Sequence, residues 1–196
     1  MDLSLVDNDT VDLLTRITSK KLYSQDLTPT VLFLAALLTI LLGVIFADTA
    51  VAYREEQRLQ TMIDSLTPPG QAIKELAQFM IGGIDWHNVY INPADWMTLT
   101  KPLSYPERLL LISLGFEMSQ IDGNMDPREI TYLREVGHRL EICDSHLTIL
   151  ENSFAGHQSS PSVALDEIKQ LLKPQQFAIL GDAVMSVASN VLTQLR

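Results

Sequence analysis

Between residues 31 and 47 the chain runs VLFLAALLTILLGVIFA, 17 residues without a charge. Such a segment must either lie in lipid or be enclosed by protein on every side. It sits at the short end for a membrane span, which needs ~20 residues. Lys20 and Lys21 precede it, and Ala50-Val51-Ala52 has the small residues of a leader cleavage site. A secretory leader, however, needs a short basic start. Here the preceding stretch is about thirty residues long and holds Asp2, Asp7, Asp9, Asp12 and Asp26. The expectation is therefore a central helix, apolar all round and buried in the domain. The alternative is a membrane-anchored protein with residues 31–47 as the span and residues 53–196 as a soluble head. Periodicity alone does not separate the two.

A repeat bears on the choice. Sliding the chain by 74 residues places Leu37 on Leu111, Asp48 on Asp122, Arg54 on Arg128, Glu55 on Glu129, Leu59 on Leu133 and Leu66 on Leu140. That is roughly six identities over about 36 positions, where chance gives about two or three. Types match further, as in Leu38 with Ile112 and Val51 with Met125. The apolar run then corresponds to residues 105–121, YPERLLLISLGFEMSQI, whose Glu107, Arg108 and Glu117 do not suit a lipid environment. The repeat favours burial in protein.

The second copy has clear local signals. A helix ending near Asp122 meets Gly123, suited to a left-handed terminal position. Asp126 then supplies an N-cap, Pro127 the first helical position and Glu129 the partner of a capping box. Ile130, Leu133, Val136 and Leu140 form an apolar stripe along the helix that follows. Further helices are predicted over 10–22, 71–81 (stopped by Gly82-Gly83), 145–153, 162–172 and 175–195. No alternating strand pattern of useful length exists, and the stretch from Asp85 to Trp96 carries no assignable pattern. The fold class is all-α, with two pseudo-symmetric helix–turn–helix repeats at about 31–66 and 105–140. Residues 1–27 read as an N-terminal helical extension and 28–196 as the helical domain.

Residues Ile121-Asp122-Gly123-Asn124-Met125-Asp126-Pro127-Arg128-Glu129, between an apolar and an amphipathic helix, resemble the signature turn of TerB-like (tellurite resistance) domains. Ala47-Asp48-Thr49 through Glu55 resembles a degenerate first copy, with Thr49 in place of glycine and Ala52 in place of Asp126. The resemblance covers roughly residues 30–195. It implies an all-α fold with internal pseudo-symmetry and a part in bacterial stress responses. It also implies partners at the inner membrane, and acidic turn residues that bind a divalent metal ion. On that footing the chain is expected to be cytoplasmic, peripheral to the inner membrane, and to bind a protein partner. The missing first-turn aspartate weighs against a symmetric pair of metal sites.

The candidate site residues follow. Asp48, Glu55, Asp122, Asp126 and Glu129 either converge on a metal ion or partner, or cap helices and meet solvent. Asp122, Asn124 and Asp126 open like an EF-hand loop, but that loop needs glycine at its sixth position and glutamate at its twelfth. Pro127 and Leu133 stand there instead. Trp86, Tyr90 and Trp96 either form a partner surface, where aromatics are enriched, or plug the gap between repeats. Cys143 and His146 lack the second ligand pair of a zinc site, and the sole cysteine leaves no internal disulfide. No HExxH, GxSxG or phosphate-loop pattern exists, so no catalytic residues are expected. A net charge of -10 and no basic stripe make nucleic acid an unsuitable partner.

Overall fold

The computed structural model describes residues 1–47, 53–67, 71–121, 123, 125–157 and 163–195; the side chains of residues 53–55 and 71 lie outside that description. Ten α-helices and no strand occur among the described residues: α1 (Asn8–Thr18), α2 (Pro29–Ala47), α3 (Tyr53–Leu66), α4 (Gln71–Trp86), α5 (Pro93–Thr100), α6 (Tyr105–Ser119), α7 (Pro127–Arg139), α8 (Asp144–Phe154), α9 (Val163–Leu171) and α10 (Asp182–Gln194). The fold is all-α.

Helix α2 holds the apolar run. Thr28 starts it, its hydroxyl accepting from the Val31 N–H at 3.3 Å, and Pro29 follows in the first helical position. Every residue from Val31 to Ile45 is buried. Helices α4, α5, α6 and α7 pack around it, so it has no solvent side and needs no polar face. Each buried Leu, Ile or Phe contributes ~1.5–3 kcal/mol. Thr39, the one hydroxyl in its middle, donates to the Ala35 carbonyl at 2.8 Å.

Helix α6 is almost as buried, yet carries three charges, each with a partner. Glu107 accepts from the Ser104 N–H at 2.7 Å, completing a capping box, and pairs with the Met1 ammonium at 3.0 Å. Arg108 donates to the Leu103 carbonyl at 2.9 Å and pairs with Glu141. Glu117 pairs with Arg58 of α3 and accepts from Gln194 of α10. Buried charge is tolerated only when so compensated.

Three helix bounds differ from expectation. Helix α4 continues through Gly82-Gly83 to Trp86, because Gly83 faces α1: a Cβ there would lie 1.8 Å from the Ile17 carbonyl oxygen. Close packing outweighs a propensity cost of ~1 kcal/mol. The expected helix 175–195 is two elements, a 3-10 helix Pro174–Leu180 and α10, parted by Gly181 at φ 92°. Helix α1 also stops at Thr18, before the expected residue 22, where Ser19 turns left-handed. Helices α3 and α7 begin at Tyr53 and Pro127, 74 residues apart.

Candidate functional site

At the second turn, Asp126 caps α7 as expected, but its carboxylate reaches the second helical residue, accepting from the Arg128 N–H at 2.8 Å. It also takes both Arg128 guanidinium contacts at 3.0 Å. The Arg128 side chain, then its backbone N–H, holds this carboxyl below the ordinary 3.8. Glu129 is 4% exposed. Asp48 and Asp122 lie outside the described residues, as does the side chain of Glu55. No group of three His, Cys, Asp or Glu side chains able to hold a metal ion occurs among the described residues. The charge of Asp126 is already balanced by Arg128, and Glu129 is turned inward, so these two alone do not make a cation site.

The unassigned stretch resolves into the end of α4, a 3-10 turn Val89–Ile91, and α5. Asn92 caps α5 by accepting from the Ala94 N–H at 3.1 Å, with Pro93 in the first position. The three aromatic candidates part company here. Trp86 is 82% exposed at the C-terminal end of α4. Tyr90 is half-buried and stacks on Phe46, ring centroids 5.2 Å apart. Trp96 is 3% exposed and offers a partner no outer surface. Ile91 and Met97, on the same stretch, are exposed apolar side chains.

Behind Tyr90 lies a slot of about 230 Å³ between this stretch and α7. Trp96, Val136 and Tyr132 form its inner wall, and Ile91, Asn92, Glu135 and Arg139 its mouth. The Trp96 Nε1 and Tyr132 Oη atoms are buried without a hydrogen-bond partner. The two groups approach one another, and the indole N–H opposes the burial that raises the Tyr132 hydroxyl well above its ordinary 10.0. Neither reaches hydrogen-bond geometry. Tyr132 comes this close to α2 only because Gly43 is there: a Cβ on Gly43 would lie 1.9 Å from Oη.

A second polar cluster surrounds Cys143. Its sulfur lies 3.2 Å from Ser145 Oγ and 3.7 Å from Tyr105 Oη. Tyr105 Oη is 2.9 Å from His146 Nδ1, and His146 Nε2 is 3.3 Å from Glu167. Burial raises the thiol, but Ser145, the His146 N–H and Tyr105 together hold it below 9.0.

A family model described as tellurite resistance protein TerB matches residues 34–151. The chain belongs to the TerB family. The TerB match runs from the second turn of α2 into α8, and so takes in both turns, the aromatic stretch and the slot. No curated protein and no solved structure matches the chain.

Sequence reasoning named Tyr90 and Trp96 but missed Tyr132, which reads as an ordinary member of an amphipathic helix. A signal was present: Gly43, a lone glycine inside an apolar helix, marks a close approach by something.

Proposed function

We propose that this TerB-family chain is a non-catalytic cytoplasmic module that works by binding a protein partner, with Trp86 as the anchor of the contact. The exposure of Trp86 carries the reading. An indole open to water at 82% contributes little to the fold, and tryptophan is among the side chains most enriched at binding hot spots. The neighbouring Trp96 is used inside the fold, so the segment distinguishes a structural tryptophan from an available one. The acidic turns rank second as the contact, because Asp126 spends its charge on Arg128 and Glu129 is buried. A link with tellurite resistance or stress response follows from the family alone.

The test compares capture from native extract by the wild type, Trp86→Ala and Asp122→Lys, each shown folded by circular dichroism. Anchoring by Trp86 predicts that Trp86→Ala loses the partner at least tenfold, or ~1.4 kcal/mol. Capture should also persist as salt rises, since burial of apolar area is not screened. Unchanged capture by folded Trp86→Ala contradicts the reading. Loss on Asp122→Lys, with steep salt dependence, would transfer the contact to the acidic turn.

A further inference from the structure

We propose that the groove between α1, α5 and the C-terminal end of α7 binds a short extended peptide. Its free C-terminal carboxylate sits at Arg139, and a basic side chain further back sits at Asp9 and Asp12. Two open cavities make up the groove. One, of about 450 Å³, runs from Leu5 and Asp7 past Met97 to Arg139 and Leu140. The other, of about 330 Å³, lies between Asp12 and Arg16 of α1 and Asp95 of α5. Asp9 and Thr98 line both, so the cavities adjoin there.

Most charges along the groove are neutralised by a neighbour. Lys101 pairs with Asp7 at 2.9 Å, Arg108 with Glu141 at 3.1 Å and Arg16 with Asp95 at 2.5 Å. Asp9, Asp12 and Arg139 are left over. All three are exposed and make no ion pair or side-chain hydrogen bond among the described residues. Asp9 and Asp12 stand one turn apart on α1, where like charges destabilise a helix and a cation set between them relieves the repulsion. Arg139 lines the same cavity as Asp9 and pairs with neither acid. Asp9 in the first turn of α1 and Arg139 in the last turn of α7 each suit their own helix dipole. The dipoles explain each sign, but not the meeting of opposite unpaired charges on one cavity. A ligand that is anionic at one end and cationic at the other answers both. The planar guanidinium fork favours a carboxylate, which it can hold by two parallel bonds. Leu5 and Met97, exposed apolar side chains between the two ends, suit an aliphatic stretch. The larger cavity alone reaches the ~300–1,000 Å³ of small-molecule sites, so an occupant that also enters the second is longer than one amino acid. The groove uses neither Trp86 nor the acidic turns, and stands or falls apart from the proposed protein contact.

The probe is the synthetic peptide acetyl-Arg-Ala-Ala-Ala with a free C-terminal carboxylate, titrated into the full chain at low salt. Three controls accompany it: the same peptide as its C-terminal amide, the peptide with norleucine for arginine, and free arginine. The Met97 methyl resonance, assigned with Met97→Leu, reports on the groove. The acid peptide should shift it saturably, with millimolar or tighter affinity that weakens as salt rises. The amide and the norleucine peptide should each bind at least fivefold more weakly, and free arginine weaker still. In Arg139→Gln the acid and the amide should bind alike. In the Asp9→Asn, Asp12→Asn double variant the arginine and norleucine peptides should bind alike. No saturable Met97 shift up to ~10 mM, or equal binding of acid and amide by the wild type, overturns the proposal. So does a preference for the acid that survives in folded Arg139→Gln. Free arginine binding as tightly as the peptide overturns the peptide assignment. Should a variant not fold, the four ligands on the wild type decide alone.

Discussion

At the scale of single residues, the most telling pair is Gly43 and Tyr132. A methyl group at Gly43 would overlap Tyr132 Oη and Cζ, at 1.9 and 2.1 Å. Alanine should favour the helix by up to ~1 kcal/mol over glycine, whereas forced overpacking costs ~1–3 kcal/mol. The tyrosine hydroxyl sits inside the protein, so the clash should win. Gly43→Ala is expected to destabilise the fold by ~1–2 kcal/mol in urea denaturation. In a Tyr132→Leu background the same change should be neutral or stabilising. A Gly43→Ala cost that persists without the tyrosine ring would show that another neighbour fills the gap. This contact also marks a limit of sequence reading. The glycine is visible and the tyrosine is visible, but they lie on helices far apart in the chain, and no spacing rule joins them. Trp96 and Tyr132 meet in the slot for the same reason, through packing of whole helices against α2.

At the scale of elements, local chemistry was legible where it is local. The start of α7 follows from Asp126-Pro127, and the start of α6 from Ser104 and Glu107. The stop at Gly82-Gly83 was misread because a glycine inside a helix signals either an end or a close approach, and Ile17 of α1 supplies the approach. The starts of α3 and α7 keep the 74-residue spacing of the repeat alignment, whereas α2 and α6, starting at Pro29 and Tyr105, do not. The caps make a pH prediction. Asp126 has a lowered pKa in the fold, so its stabilisation is complete above the unfolded value. It is lost as pH falls through the still lower folded value. Asp7, which accepts from the Thr10 N–H, is held at about 2 chiefly by Lys101. Asp126→Ala and Asp7→Ala should therefore both lower Tm at pH 7. The gap between wild type and each variant should narrow only below pH 3.8, and for Asp7 close near pH 2. A gap that is the same at pH 7 and pH 2 would mean the side chains act without their charge.

At the scale of the molecule, the chain is organised around α2. The helix passes for a membrane span by length and hydropathy, yet 83% of its most apolar window is enclosed by the rest of the chain. Helices α4 to α7 supply that enclosure, and α1 adds Leu13, Leu14 and Ile17 to the same core. Taking the helix into a bilayer would strip these partners of their apolar cover, at ~25 cal/mol per Å² of exposed surface. The repeat made this outcome legible, because it set α2 opposite the charged α6. What the sequence did not disclose is which surface is left for a partner, since exposure of Trp86 and enclosure of Trp96 depend on the finished packing. The measurement that bears most directly on the whole account is fractionation of residues 1–196, expressed without a fusion and lysed without detergent. Burial of α2 predicts recovery in the high-speed supernatant, with a cooperative melt and helical circular dichroism. Recovery only in the alkali-resistant membrane pellet would contradict it.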